Sequence, residues 1–112
     1  MKKVEIYTRP EKLDMLKDIL SKHGCHGMSI FTVMGCGRQK GYVAEMALPD
    51  FSINLLPKIC VVSVIEDDEL NEVLADICEN VSSDTVGDGK VFVYDVYDCM
   101  RIRTGERGDS AL

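Results

Sequence analysis

The hydrophobic pattern of this chain occurs twice, because each half of the sequence predicts a strand, an amphipathic helix and a second strand. In the first half, residues 3–8 alternate between polar and apolar side chains, and leucine and isoleucine recur at helical spacing over residues 13–20. Val4 and Ile6 share the apolar face of the first strand. Residues 28–34 then return to the β-branched and aromatic side chains that are typical of strands.

The second half of the chain follows the same order. Residues 58–65 form a nearly continuous apolar run, as expected of a central buried strand. Apolar side chains recur at helical spacing over residues 70–77, and residues 91–96 predict the last strand. The sum is β-α-β-β-α-β, which predicts one α+β domain over residues 1–112. Its arrangement is ferredoxin-like, with an antiparallel sheet and two helices on one face.

One connection is longer than this arrangement needs. Residues 36–57 join two strands that a short hairpin could join, and this length exceeds that of most loops in compact domains. Loops of this length in a compact domain are usually functional or disordered, and this one begins with a basic segment that contains glycine.

The acidic charge balance argues against a nucleic-acid partner. The formal net charge is −6 at pH 7, whereas nucleic-acid surfaces carry a broad basic excess. No apolar run approaches the roughly 20 residues that cross a bilayer, and the first residues lack the apolar core of a signal peptide. The five cysteines are widely spaced without a Cys-x-x-Cys pair, which favours reduced thiols. We therefore expect a cytoplasmic protein without membrane insertion.

Against this acidic background, residues 35–41, 87–90 and 101–106 combine basic side chains with glycine. Glycine lets the backbone approach a ligand closely, and lysine and arginine supply charge. Arg101 and Arg103 are two positions apart, so in an extended segment both project to the same side. Each segment alone is explained by a turn or a solvated basic surface. Together they predict a pocket for a small polyanion, and a nucleoside triphosphate is the expected ligand.

The sequence offers no persuasive catalytic set. His23 and His26 flank a predicted helix end, where a capping or solvent-exposed role is expected, and neither has a carboxylate partner that the sequence reveals. Cys36 lies between two glycines, and without an assigned base it is expected to be a tolerated small residue. A solvated helix face is the expected explanation of Glu69, Glu72 and Asp76.

Four segments together resemble the PII nitrogen-regulatory signalling proteins. They are Gly37-Arg38-Gln39-Lys40-Gly41, Leu56-Pro57-Lys58, Gly87-Asp88-Gly89-Lys90-Val91-Phe92 and Arg101-Ile102-Arg103-Thr104-Gly105-Glu106. The resemblance extends over essentially the whole chain without insertion or deletion. It implies a ferredoxin-like homotrimer that binds ATP or ADP in clefts between subunits. It also implies 2-oxoglutarate binding next to Mg-ATP, and a long flexible loop that docks on target proteins.

The resemblance also implies residue roles. The phosphates would be held by Gly87, Asp88, Gly89 and Lys90 of one subunit and by Arg101 and Arg103 of its neighbour. The adenosine would be surrounded by Ser29, Gly35, Gly37, Arg38 and Val64, and Cys36 also belongs to the implied nucleotide site. Gln39 would ligate Mg²⁺ beside the ATP phosphates. The 2-oxoglutarate contacts would be Gln39, Lys40, Gly41 and Lys58, with the lysine pairing with a carboxylate.

The sequence departs from the family pattern at several positions. The tyrosine that is uridylylated in many members would fall at Phe51, which has no hydroxyl, so that modification is chemically impossible there. A loop arginine that commonly plugs the ammonium-transporter pore would fall at Ala47. The other departures are Ser29 and Ser83 for threonine, Val62 for glutamate, and Asp84 and Thr85 for glycine and lysine.

These observations predict a non-catalytic sensor of ATP, ADP and 2-oxoglutarate that regulates nitrogen-metabolism targets through residues 36–57. The expected targets include an ammonium transporter or a nitrogen-metabolism enzyme. The main alternative is a nucleotide-hydrolysing or phosphoryl-transfer enzyme on a ferredoxin-like trimer, against which stands the lack of a positioned base or a carboxylate pair for metal. A third class, a metal- or redox-responsive trimer that uses Cys36 and the other thiols, gains little support from the cysteine spacing.

Overall fold

The computed structural model describes residues 1–25, 27–36 and 55–112. The strands are β1 (Lys2–Thr8), β2 (Ser29–Gly35), β3 (Leu56–Ile65) and β4 (Lys90–Asp95). The helices are α1 (Leu13–Lys22) and α2 (Leu70–Val81), and short 3-10 turns occur at Pro10–Lys12, Asp67–Glu69 and Gly108–Ala111. In chain order these elements confirm the predicted β-α-β-β-α-β pattern. Within the described part of the chain, no helix combines the length and apolar composition that crossing a membrane requires.

The four strands form one antiparallel sheet in the order β2-β3-β1-β4. Thr8 of β1 pairs with Ile59 of β3, and Tyr7 pairs with Lys90 of β4. The end of β1 therefore lies between the beginnings of β3 and β4. This strand order confirms the predicted ferredoxin-like fold class.

One face of the sheet packs against α1 and α2. Val4 and Ile6 are buried on this face, as their alternation predicted. Burial of a leucine, isoleucine or valine side chain stabilises the fold by very roughly 1.5–3 kcal/mol. The full core cluster is Val4, Ile6, Leu16, Ile19, Leu20, Ile59, Val61, Ile65, Val73, Ile77 and Val81.

The opposite face of the sheet carries aromatic side chains that remain accessible in the single chain. Phe31 is 54% exposed, and Phe92 and Tyr94 are exposed as well. The rings of Tyr7 and Phe92 meet edge to face with their centroids 5.8 Å apart. The Glu5 carboxylate accepts hydrogen bonds from the hydroxyls of Tyr7 and Tyr94, each at 3.3 Å. This face is therefore apolar with a polar centre.

The strand that follows the long connection begins earlier than predicted. β3 starts at Leu56 and includes Pro57, which pairs with Met34 of β2. Proline is tolerated there because β1 does not reach this part of β3, which has β2 as its neighbour in the sheet. The last two residues of the predicted loop over 36–57 are thus strand residues, and residues 37–54 lie outside the described part of the chain.

Candidate functional site

The segment before β4 forms a tight loop whose glycines lie against β1. Gly87 and Gly89 have φ values of 97° and 113°, which side chains other than glycine rarely adopt. Gly89 has no room for a side chain either, because a Cβ atom there would lie 1.7 Å from the carbonyl oxygen of Tyr7. The Thr8 hydroxyl donates to the carbonyl of Asp88 at 2.6 Å. Both glycines are therefore required by the conformation of the loop.

The Asp88 carboxylate fixes this loop from within. It accepts hydrogen bonds from the hydroxyl and backbone N–H of Ser83 at 2.5 and 2.7 Å, and from the hydroxyl of Thr85 at 3.1 Å. These donors, the Ser83 hydroxyl first, hold the pKa of Asp88 well below its usual range. The carboxylate is ionised at neutral pH, and its oxygens are engaged inside the loop. Asp88 therefore contributes to the candidate site by shaping the loop.

Two departures from the family pattern are accommodated by the same loop. Asp84 has a φ of 54° and is the one non-glycine residue with positive φ among the described residues. Aspartate is one of the few residue types that tolerate this region, which explains how it can stand where glycine is usual. Thr85 uses its hydroxyl to hold Asp88.

The end of β2 and the beginnings of β3 and β4 enclose a cleft of about 780 Å³. We refer to it as the lysine cleft, because its lining includes the predicted site residues Gly35, Cys36, Lys58, Gly87, Gly89 and Lys90. The Lys58 ammonium donates to the Gly87 carbonyl at 2.8 Å, which uses one of its three donors. Lysine charge and glycine backbone together are the lining that a phosphate group needs.

Ser29 and Val64 line a different cleft, of about 620 Å³, together with Val62 and Ser63. We refer to it as the serine cleft. Ser29 and Gly35 stand at opposite ends of β2, and a strand of that length spans about 20 Å. The sequence-based expectation grouped Ser29 and Val64 with Gly35 around one adenosine. In a single chain these residues line separate clefts.

The segment that carries the two arginines is a turn. The N–H groups of Thr104 and Gly105 donate to the Arg101 carbonyl at 3.2 and 2.8 Å. Gly105 has a φ of 74°, and the chain reverses direction there. The expectation that Arg101 and Arg103 project to the same side of an extended segment is therefore wrong, because the local hydrogen bonds favour a turn.

Arg101 lies at the rim of the serine cleft. Its guanidinium donates to the Glu106 carboxylate at 2.5 Å and to the Leu112 carbonyl at 3.2 Å. Leu112 is one of the residues that line the serine cleft. Arg103, two positions away, is exposed. Within one chain Arg101 thus contacts the lining of the serine cleft at Leu112, and neither Arg101 nor Arg103 lines the lysine cleft.

Several predicted site residues lie outside the described part of the chain. They are Gly37, Arg38, Gln39, Lys40 and Gly41, among which Gln39 is the predicted Mg²⁺ ligand. The positions of the loop departures, Ala47 and Phe51, and the second histidine, His26, also lie outside it.

A polar cluster between α1 and α2 contradicts one sequence-based expectation. His23 follows the last residue of α1, at the predicted helix end, but its Nε2 lies 2.9 Å from the Asp76 carboxylate. Lys22 donates to the same carboxylate at 2.9 Å, and Glu69 and Glu72 approach the other ring nitrogen of His23. The prediction that Asp76 lies on a solvated helix face is therefore wrong. The duplicated βαβ pattern could have indicated this, since it packs α1 beside α2.

Comparison with known proteins gives a consistent set of relatives. The family model described as Nitrogen regulatory protein P-II matches residues 1–106. The chain is 39% identical to a protein named Nitrogen regulatory protein P-II 2 from Methanothermobacter thermautotrophicus, over 100% of this chain and 97% of that relative. It is 38% identical to a Nitrogen regulatory protein P-II from Pasteurella multocida, over 100% of both chains. It is 37% identical to Nitrogen regulatory protein P-II 1 of Escherichia coli, also over 100% of both chains.

Proposed function

Because this chain belongs to the nitrogen regulatory protein P-II family, we propose that it is a non-catalytic signalling protein that senses ATP, ADP and 2-oxoglutarate. Its output is the regulation of nitrogen-metabolism targets. The family membership supports the regulatory role, and the chemistry of the lysine cleft supports the choice of a nucleotide as ligand.

The lysine cleft is the observation that carries this proposal. Gly87 and Gly89 leave the backbone of the loop uncovered, and Lys58 and Lys90 add two ammonium charges. The Asp88 carboxylate of the loop is turned inward to its own hydrogen-bond donors. Among the described residues that line the cleft, none is acidic. An entering polyphosphate would therefore meet cations and N–H donors without a competing carboxylate.

A complete nucleotide site is proposed to form between two copies of the chain. The lysine cleft would supply phosphate contacts, whereas Ser29 and Val64 line the serine cleft and Arg101 contacts its lining residue Leu112. If the lysine cleft of one subunit faces the serine cleft of the next, both sets of contacts meet around one nucleotide. Such a head-to-tail contact closes into a ring, and a homotrimer is the ring that the family resemblance implies.

The uncovered face of the sheet supports this assembly. Phe31, Phe92 and Tyr94 are exposed there in the single chain, on the side away from α1 and α2. Soluble proteins rarely expose a contiguous apolar surface of this kind unless a partner covers it. Three copies that turn these faces inward would cover them.

We propose that 2-oxoglutarate and Mg²⁺ bind at the lysine cleft together with ATP. Among the described residues, the Lys58 ammonium donates to the Gly87 carbonyl alone, so it can also pair with a carboxylate of the oxo acid. Gln39 is the proposed Mg²⁺ ligand, and Lys40 and Gly41 complete the proposed oxo-acid site. These three residues enter the proposal through the family resemblance.

The enzyme alternative requires groups that the described part of the lysine cleft does not supply. Hydrolysis or phosphoryl transfer needs a base for the nucleophile, and carboxylates commonly hold the metal. The described lining residues include neither a histidine nor a carboxylate. We therefore propose that the protein binds the nucleotide without catalysing a reaction.

We propose that residues 36–55 form the effector loop of a single domain over residues 1–112, and that this loop docks on an ammonium transporter or a nitrogen-metabolism enzyme. Because uridylylation at residue 51 is chemically impossible with phenylalanine, ligands alone are proposed to switch the loop. We place the protein in the cytoplasm.

Isothermal titration calorimetry of ATP, with and without 2-oxoglutarate and with Mg²⁺ present, tests this function. We expect ATP to bind, and each ligand to raise the affinity of the other by the same factor, because binding linkage is reciprocal. A parallel assay for ADP release should show no turnover. Absence of nucleotide binding would refute the proposed function, and multiple turnovers of ATP would favour the enzyme alternative.

A further inference from the structure

The His23 side chain lies in an unusual position between the end of α1 and the beginning of α2. It is only 10% exposed, and acidic side chains of α2 approach both of its ring nitrogens. Asp76 faces Nε2, and Glu69 and Glu72 face Nδ1. The two ring nitrogens therefore have different surroundings.

The Asp76 carboxylate determines which nitrogen carries the proton. It accepts hydrogen bonds from the Lys22 ammonium at 2.9 Å and from the Asn80 amide at 2.5 Å, in addition to its contact with His23. A carboxylate that is paired with the Lys22 ammonium accepts hydrogen bonds, so His23 Nε2 is its donor when one ring nitrogen carries the proton. Nδ1 then presents a lone pair.

The lone pair of Nδ1 is directed at two carboxylates. Nδ1 lies 3.6 Å from Oε2 of Glu69 and 4.0 Å from Oε2 of Glu72, both too long for a hydrogen bond. All three ligand atoms lie within 4.8 Å of one another. Around one ion with bonds of about 2.1 Å and tetrahedral angles, neighbouring ligand atoms stand roughly 3.4 Å apart. Small side-chain movements would bring these atoms to that spacing.

Negative charge is in excess around His23, Glu69 and Glu72, and a bound cation would neutralise it. Glu69 and Glu72 converge on His23 Nδ1 without a lysine or arginine ion pair to either among the described residues. Lys22, the lysine that precedes His23, is held by Asp76 on the Nε2 side of the ring. Like charges this close repel unless an opposite charge stands between them.

We propose that His23 Nδ1, Glu69 and Glu72 bind a divalent transition-metal ion, with zinc as the expected ion, and that Asp76 orients the imidazole. A histidine nitrogen with two carboxylates is a zinc-type donor set, whereas Mg²⁺ and Ca²⁺ prefer oxygen ligands throughout. The hydrogen bond from a metal-binding histidine to a carboxylate is the usual device that fixes its tautomer. The ion would join the end of α1 to the beginning of α2.

This site is separate from the Mg²⁺ proposed to accompany ATP, and it does not depend on the nucleotide-sensing proposal. His23 and Glu69 also line the serine cleft, so the ion would stand at the edge of that cleft. Its coordination positions not filled by protein would be open to water, since Glu72 is 76% exposed.

Zinc titration of the full chain by isothermal titration calorimetry tests the proposal. The wild type should bind one ion per chain at this site, and Glu69→Gln and Glu72→Gln should each weaken that binding at least about tenfold. Glu79→Gln changes an exposed carboxylate of the same helix outside the group and should leave zinc affinity unchanged. Glu72 is exposed enough that its substitution should leave the packing of α2 intact.

Because the chain has five cysteines that can also bind zinc, cobalt absorption spectroscopy identifies the ligands. Co²⁺ bound by His23, Glu69 and Glu72 should lack the sulfur-to-cobalt charge-transfer bands of a thiolate site, and Glu72→Gln should lower its binding. No metal binding, unchanged affinity in both glutamine variants, or thiolate bands that account for all bound cobalt would each overturn the proposal.

Discussion

Gly89 is fixed by the space around it as well as by its backbone conformation. We predict that Gly89→Ala destabilises the protein by more than about 3 kcal/mol, because the new methyl group would meet the Tyr7 carbonyl. Gly24→Ala is the matched control, since Gly24 also has a positive φ but nothing lies within 4 Å of its added Cβ. That control should cost only about 1 kcal/mol. Urea denaturation of both variants measures the difference, and equal losses would contradict the steric account.

The contribution of Lys90 to ligand binding is a second residue-scale prediction. Lys90→Ala should weaken ATP binding by very roughly 1.5–3 kcal/mol, or about tenfold or more, because it removes a charge-assisted contact to phosphate. Lys17→Ala removes an exposed lysine on α1 and is the control for the change in net charge. Calorimetry with ATP measures both. An unchanged affinity for Lys90→Ala would remove this lysine from the proposed site.

At the residue scale, the sequence predicted that the backbone at Gly87 and Gly89 needs glycine, and their positive φ values confirm it. This could be predicted because backbone freedom is a local property of glycine. The direction of Arg101 depends on its contacts with Glu106 and the Leu112 carbonyl, which no local pattern encodes.

At the scale of the elements, the conformation of the loop before β4 is held by the ionised Asp88 carboxylate. The pKa of Asp88 is lowered in the folded protein, so its contribution to the free energy of unfolding is fully present above the unfolded pKa of about 4. That contribution is lost as the pH falls from about 4 toward the lower folded pKa.

Asp88→Asn should therefore lower the stability of the protein near pH 7 and reduce its further loss of stability below about pH 4. Urea denaturation across this pH range measures the effect, with the exposed Asp68→Asn as the control. The prediction fails if wild type and Asp88→Asn lose stability equally on the acid side.

The order of the elements follows from hydrophobic periodicity, which is why the strands and α1 could be predicted to within two residues, whereas α2 continues four residues beyond the predicted repeat. The early start of β3 could not, because proline is tolerated at Pro57 only where β1 does not pair with that strand. The partners of His23 were missed for a related reason. Helix packing brings Asp76 to it from 53 positions away in the sequence.

We propose that the whole molecule is a trimer, because the face of the sheet opposite the helices exposes aromatic side chains. Light scattering should report a homotrimer for the wild type. Phe31→Lys should dissociate it, since a lysine at a buried interface position would lose its hydration. Met15→Lys places the same charge at an exposed apolar position of α1 and should leave the trimer intact. A stable wild-type monomer at micromolar concentration would contradict the assembly.

The family resemblance implied a nucleotide site between subunits, but the sequence did not reveal that Ser29 and Gly35 line separate clefts of one chain. The motifs around Gly35 and Ser29 are close in the chain, yet they stand at the two ends of one extended strand. A site made from both must therefore join different copies of the chain, and this is the central claim of the proposed function.

Subunit mixing tests that claim most directly. Lys90→Ala damages the lysine cleft, and Arg103→Ala damages the arginine segment beside the serine cleft, so each variant alone should bind ATP weakly. When the two variants are unfolded, mixed and refolded together, each mixed trimer should regain one cleft whose two sides are both intact. Calorimetry should then show that a fraction of sites recovers wild-type ATP affinity. If mass spectrometry confirms mixed trimers but no site recovers wild-type ATP affinity, the site is not shared between subunits.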